Sequence, residues 1–184
     1  MLVALRTRGV HLACISALAL AAPAPAAAEH REARTGAFVV EHVLELPGTP
    51  ETIYDAMTGD VSGWWDHSFS GEPARFYIEP KPGGGFYEIF DDTGDGVKHA
   101  EVIYAQRGKL LRFVGPLGFS GHAIELVTSC AFETVGEDST RLKLSVHGAG
   151  EIEDGWVEAV DGVWHHFLVE RFKPYVESGK HLER

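Results

Sequence analysis

WVEAVDGVWHHFLVERFKPYVES, residues 156–178, is the only long helical pattern in the chain, and its apolar positions decide the fold. Val160, Val163, Trp164 and Phe167 recur at three- and four-residue spacing, and Leu168, Phe172, Tyr175 and Val176 continue the series as one broad apolar stripe. A stripe that wide needs a large surface to cover. Asp154 is placed to cap the helix early, or Asp161 if the first turns are irregular, and Gly179 is placed to end it. Pro174 lacks an N–H, which predicts a kink or a break near Lys173.

The surface that the helix covers is visible just upstream. Leu142, Leu144 and Val146 alternate with Arg141, Lys143, Ser145 and His147, the pattern of a strand with one buried and one wet face. Further strands read back along the chain at 123–134, 109–114, 97–104, 86–90 and 75–79, with Gly83-Gly84-Gly85 as a tight turn needing positive φ. Phe38 to Leu46 is the first strand, ended by Pro47-Gly48. Thr49 then caps a short helix with Pro50 at its first position, and Ile53, Ala56 and Met57 face one side. A second short helix, opened by Asp60 or Ser62, holds Trp64 and Trp65. The expected architecture is α+β: a curved antiparallel sheet of about seven strands around a long C-terminal helix, with two short helices after strand 1. The domain is expected at 38–178, after a polar, disordered segment at 29–37 and before a tail at 179–184.

The first 28 residues have the order of a secretory signal. Arg6 and Arg8 precede an uncharged run from Val10 to Ala22, and small residues with Ala26 and Ala28 in A-x-A spacing follow, before Glu29. The apolar run is shorter than the roughly 20 residues that span a bilayer. Cleavage after Ala28 is expected, leaving a periplasmic or secreted protein with no membrane insertion. Loss of Arg6 and Arg8 lowers the 16 Lys and Arg to 14, against 27 Asp and Glu. A chain this acidic is a poor partner for nucleic acid or anionic lipid. Cys14 leaves with the signal, so Cys130 remains alone, without an internal disulfide, as a buried, inert thiol.

Several local motifs, in order, resemble the START-like helix-grip (SRPBCC) superfamily of lipid-transfer, polyketide cyclase and pollen-allergen proteins. The likeness is closest to the branch named for the C-terminal domain of the activator of the heat-shock chaperone ATPase. Pro50 to Thr58 followed by Trp64-Trp65 resembles its opening, and Pro80-Lys81-Pro82-Gly83-Gly84-Gly85-Phe86 resembles its Pro-x-x-Gly-Gly turn. Ala100-Glu101-Val102 stands where that branch has Gly-x-Val, and Thr140-Arg141-Leu142-Lys143-Leu144 matches its Thr-x-Leu-x-Leu strand. The resemblance spans residues 38–178 and implies a helix-grip fold with a hydrophobic cavity; it implies no reaction. Export, and an acidic Gly148–Trp156 loop, depart from the usual member.

Candidate ligand contacts follow from the expected cavity wall. Met57, Trp64 and Trp65 would close one end; adjacent tryptophans point apart, so one belongs to the core and the other to the entrance. Phe86, Phe90, Leu142, Leu144 and Val146 would contribute from the sheet, with Trp164 and Leu168 from the helix. Weak catalytic candidates are Glu88, His99 and Glu101. Strict alternation puts Phe86, Glu88 and Phe90 on one face, and His99, Glu101 and Ile103 on one face of the next strand. Turned inward, a histidine and a carboxylate serve as acid and base; turned outward, they are wet-face polar groups. His165-His166 lacks H-x-x-x-H or C-x-x-C spacing, so no metal site and no cofactor is expected. The leading expectation is an exported binding protein for a small hydrophobic or aromatic ligand. A cyclase or dehydratase on a polyketide-like or aromatic substrate is the alternative, and a protein-interaction module a third; homodimerisation is left open.

Overall fold

A computed structural model describes residues 31–183, and the export signal read in residues 1–28 lies outside them. From Ala33 onward the chain forms one unit. Strand β1 (Thr35–Pro47) begins inside the stretch expected to be disordered, because its first residues pair with the end of β8 (Ser139–Glu151), starting at Thr35↔Glu151. The same pairing shortens the acidic loop expected at Gly148–Trp156, since β8 continues to Glu151.

Helix α1 (Pro50–Met57) starts as its sequence dictates: Thr49 Oγ1 accepts the Thr52 N–H at 3.3 Å, and Ile53, Tyr54, Ala56 and Met57 are buried. A two-residue strand, β2 (Gly59–Asp60), follows. The second short helix expected around Trp64 and Trp65 is a single hydrogen-bonded turn. Both tryptophan N–H groups donate to Val61 O, at 3.1 and 2.9 Å, while Asp60 Oδ1 accepts the Ser62 N–H at 2.9 Å. Residues 65–74 then run without regular structure.

The remaining strands are β3 (Arg75–Ile78), β4 (Gly85–Ile89), β5 (Gly96–Gln106), β6 (Leu110–Gly115) and β7 (Ile124–Gly136). A 3-10 turn at Leu117–Phe119 links β6 to β7. All eight strands join one antiparallel sheet in the order β1-β8-β7-β6-β5-β4-β3-β2. The count exceeds the expected seven because β2 is too short to leave a periodic signal. In the glycine turn, Gly83 has φ +78°, which strains any L side chain although the space there is open, and a Cβ on Gly84 would lie 2.5 Å from Glu79 O.

Two irregularities in β5 shape the site. Phe86 pairs with Ala100 but Tyr87 pairs with Lys98, so His99 is an extra residue on the β5 side. Such a bulge breaks the two-residue alternation. His99 and Ala100 therefore both face inward, while Glu101, expected on His99's face, is exposed and ion-paired with Lys98 at 2.7 Å. A second register shift between Val102 and Tyr104 leaves Ile103 and Tyr104 both exposed.

The C-terminal helix runs from Trp156 to Glu177 in three stretches: α2 (Trp156–His165), a π-helical segment (His166–Phe172) and α3 (Lys173–Glu177). Its N-cap is Gly155 in the left-handed region, with no side-chain cap, so neither Asp154 nor Asp161 plays that part. The stress expected from Pro174 is absorbed upstream. The Lys173 N–H bonds back to Leu168 O, five residues earlier, and the widened segment ends at Phe172, two residues before Pro174, the second residue of α3. Val160, Trp164, Leu168 and Phe172 share one core with Leu142, Leu144 and Val146 of the sheet. Cys130 is sealed in the same core, and burial pushes its thiol up to about 12.

Cutting a buried aromatic to alanine removes both transfer energy and packing. Trp164→Ala and Phe172→Ala are each expected to cost about 3–5 kcal/mol, read as a lower denaturant midpoint; unchanged midpoints would place the stripe on the wrong face.

Candidate functional site

A cleft of about 340 Å³ opens between the irregular 65–69 stretch, the Leu117–Phe119 turn and the α2 face carrying Ala159, Val160 and Val163. Its floor is aromatic. Trp65 stacks on Phe167 at 3.9 Å between centroids and meets Trp164 edge-on at 5.7 Å. Trp64 turns the other way, into the core against Phe172 at 4.9 Å. The tryptophan pair thus divides as adjacency required.

Of the ligand contacts expected from sequence, the structure brings only Trp65 and Trp164 to the cleft. Met57, Trp64, Phe86, Leu142, Leu144, Val146 and Leu168 are at most 2% exposed and are packed against one another. Phe90 is half-buried and outside the cleft wall. The difference has a physical reason: apolar periodicity marks which side chains leave water, not which ones are left facing a gap. Of the cleft residues that sequence missed, His67, Phe69 and Phe119 lie outside regular strands and helices of the α type, whereas Leu126 is on β7 and Ala159, Val160 and Val163 are on α2. Phe69, 52% exposed in a polar loop, is the one whose setting offered a signal.

Glu88 and His99, read as candidates for either face, are buried and paired. Glu88 has no exposed surface and His99 retains 7%. The Glu88 carboxylate accepts four hydrogen bonds: from the Phe69 N–H at 3.0 Å, the Ser70 N–H and hydroxyl at 2.8 Å each, and His99 Nε2 at 3.1 Å. Burial is the largest single influence on this carboxyl and opposes its charge. The four donors together outweigh it and hold Glu88 below its ordinary pKa. An ionised Glu88 needs a donor at Nε2, so in the neutral ring the lone pair lies on Nδ1. Among the described residues Nδ1 has no hydrogen-bond partner, and the ring forms part of the cleft wall. Phe69 stacks on the imidazole at 5.3 Å, with Phe86 at 5.1 Å and Phe76 at 5.5 Å completing an aromatic surround. The arrangement offers a fixed hydrogen-bond acceptor in an apolar setting.

At the rim, Asp66 and His67 meet His166 of the π-helical segment, although sequence spacing predicted no such cluster. Asp66 Oδ1 lies 2.8 Å from His67 Nδ1 and 2.9 Å from His166 Nε2. His166 Nδ1 lies 2.8 Å from Glu170 Oε2, and Arg171 Nε approaches Asp66 Oδ2 at 3.1 Å. Hydrogen bonding to Glu170 and then Asp66 raises the His166 pKa. For Asp66, burial acts against its charge, but His67, His166 and Arg171 together lower its pKa.

The curved sheet, the gripping helix and the cleft between them define the helix-grip, SRPBCC-like fold. No family model matches the sequence, and no curated protein matches it. Solved structures do. The Aha1 dimer from Colwellia psychrerythraea is 20% identical, with a TM-score of 0.53 over 78% of this chain and 98% of that one. DynU16, a protein in the dynemicin biosynthetic locus, is 21% identical with a TM-score of 0.53, but the match covers 77% of this chain and only 48% of that chain. Protein SA2116 from Staphylococcus aureus is 13% identical, with a TM-score of 0.55 over 79% of this chain and 97% of that one. At these identities the likeness shows the fold alone. Among the described residues no helix is long and apolar enough to cross a membrane.

Glu88 gives a signed pH dependence. Its folded pKa lies below its unfolded one, so its stabilisation is present above the ordinary carboxylate range and is lost as pH falls through the folded value. Glu88→Gln is expected to lower stability at neutral pH by about 1–3 kcal/mol, by leaving buried donors mispaired. Denaturant midpoints of the two proteins should converge on acidification; a constant gap would mean that the carboxylate is not the charged partner.

Proposed function

We propose that the protein binds a small apolar or aromatic molecule in the cleft, held by the rings of Trp65, Trp164 and Phe167 and by one hydrogen bond to His99. The observation that carries this reading is the buried His99, turned inward by a bulge and fixed by Glu88, in a wall that is otherwise almost wholly apolar. The cleft volume of about 340 Å³ sits at the small end of the roughly 300–1,000 Å³ typical of small-molecule sites. The favoured ligand is aromatic and carries a hydroxyl, which donates to Nδ1 while its ring lies among the aromatic side chains.

A second reading is favoured by the same pair. A carboxylate-anchored imidazole in a sheltered cleft is the equipment of a general base, and a cyclase or dehydratase needs a proton removed within about 3 Å of such a group. The two readings separate on His99→Gln: a binding protein loses affinity in proportion to one hydrogen bond, whereas an enzyme keeps binding and loses turnover. The interaction-module reading draws less support, because the exposed Val39 and Val43 on the outer face alternate with Glu41 and Glu45. A second copy of the chain is a proposed partner on the dimeric Aha1 likeness alone, and sedimentation would test it.

Export is proposed on the order of Arg6, Arg8, the apolar run and the A-x-A site. N-terminal sequencing of material from outside the cytoplasm is expected to begin at Glu29; a product that keeps Met1 would end that proposal.

Uptake of an apolar fluorescent probe, followed by quenching of tryptophan emission, tests the cleft directly. Val163→Trp, which fills it from α2, is expected to abolish uptake while leaving the melting temperature near that of the unmutated protein. Equal uptake by both would put the binding site elsewhere.

A further inference from the structure

We propose that Asp66, His67 and His166 form a binding site for a divalent first-row transition-metal ion of the zinc class, at the rim of the cleft. The three side chains offer two imidazole nitrogens and a carboxylate oxygen, all within 4.8 Å of one another. The proposal is independent of the ligand assigned to the cleft.

The spacing fits a common centre. Ligands held at about 2.1 Å are separated by about 3.0 Å at right angles and by about 3.4 Å in the tetrahedral array usual for zinc. Asp66 Oδ1 stands 2.8 Å from His67 Nδ1 and 2.9 Å from His166 Nε2, so an ion would have to part these donors by about 0.6 Å or less. The two rings are tilted by 59°, with centroids 5.2 Å apart, so their nitrogens converge on the carboxylate without the rings stacking.

The surroundings orient each donor. Glu170 takes the Nδ1 side of His166, which leaves Nε2 directed at the Asp66 carboxylate, 2.9 Å from Oδ1 and 3.0 Å from Oδ2, while Arg171 approaches Oδ2 and His67 approaches Oδ1. A carboxylate behind a metal-binding histidine fixes its tautomer and strengthens it as a ligand. A neutral imidazole has a single N–H, yet His166 presents both nitrogens to carboxylate oxygens, so Nε2 needs a cation. Either a metal ion or a second proton on His166 satisfies Nε2, because His67 can donate to Asp66 Oδ1 through its own Nδ1–H; the metal titration below separates the two. His166, Glu170 and Arg171 all lie in the π-helical segment, a distortion that is often found at functional sites.

Three protein ligands leave coordination positions open, as in catalytic rather than structural sites. His67 also lines the cleft, so an oxygen-bearing ligand seated there is within reach of the ion. Imidazole with carboxylate suits Zn(II), Ni(II), Cu(II) or Fe(II) over Ca(II) or Mg(II).

The test is a titration of untagged, EDTA-treated protein with Co(II), followed by its visible absorption bands, and with Zn(II), followed by calorimetry. One ion per chain is expected, with the bands lost in His67→Ala and in His166→Ala. Glu170→Gln, which removes the orienting partner but no ligand, is expected to weaken binding by about 10–100-fold. Melting curves in EDTA check that each variant folds, and Asp66→Asn supplies a near-isosteric replacement should an alanine variant fail. Binding that survives all three ligand replacements would overturn the site. So would the absence of binding up to millimolar metal, which would make the cluster a proton-sharing ion-pair network.

Discussion

One buried carboxylate organises the open end of this fold. The long helix covers the sheet where β8, β7 and β6 present Leu142, Leu126 and Leu111, but residues 65–74 at the β3–β4 end have no regular structure to hold them. Glu88 supplies the hold. Its side chain reaches from β4 to the Phe69 and Ser70 N–H groups, nineteen and eighteen positions back along the chain, and so pins the segment that forms one wall of the cleft. An ionised carboxylate with no exposed surface would be strongly destabilising if unpaired; here every donor around it is a reason for the segment to stay where it is.

The same carboxylate sets the character of His99. Because Glu88 occupies Nε2, the imidazole cannot rotate without breaking a buried hydrogen bond, and the acceptor is directed by the protein rather than by the ligand. Phe69, Phe76 and Phe86 around the ring lower the local dielectric, which strengthens any hydrogen bond made there. Apolar burial by a ligand covering about 300 Å² gives a gross gain near 7 kcal/mol, and association takes back at least about 4 kcal/mol. One well-placed polar contact is therefore a large share of what is left. Under the binding role proposed above, specificity rests on His99 more than on shape.

How much of this was legible in the sequence depends on what each signal measures. Leu142, Leu144 and Val146 alternate cleanly, and the stripe from Val160 to Val176 is long, so the sheet, the helix and their contact could be read directly. The bulge could not. Period-two reasoning puts His99 and Glu101 on one face by parity, and a single unpaired residue sends them to opposite sides. The cleft's lining differs from the expected wall for a related reason: hydrophobicity identifies the wall of a core, whereas a gap arises from what the irregular 65–74 stretch and the Leu117–Phe119 turn fail to fill. Asp66 and His166 stand 100 positions apart, and no local spacing rule links them.

The π-helical segment connects these two levels. Pro174 cannot donate to a carbonyl four residues back, and an undistorted helix would leave that acceptor unpaired while its ring crowded the preceding turn. The helix is widened over His166–Phe172, just upstream of that proline. From this segment Phe167 lies stacked on Trp65, and His166 meets Asp66, the next residue of the same irregular stretch. The helix is thus coupled to the 65–70 wall twice from the same few residues, once by stacking and once by charge, while Glu88 couples that wall to the sheet. The rim and the floor of the cleft are thus held by one distorted stretch of helix, which stands directly before the proline that sequence reasoning treats as a defect.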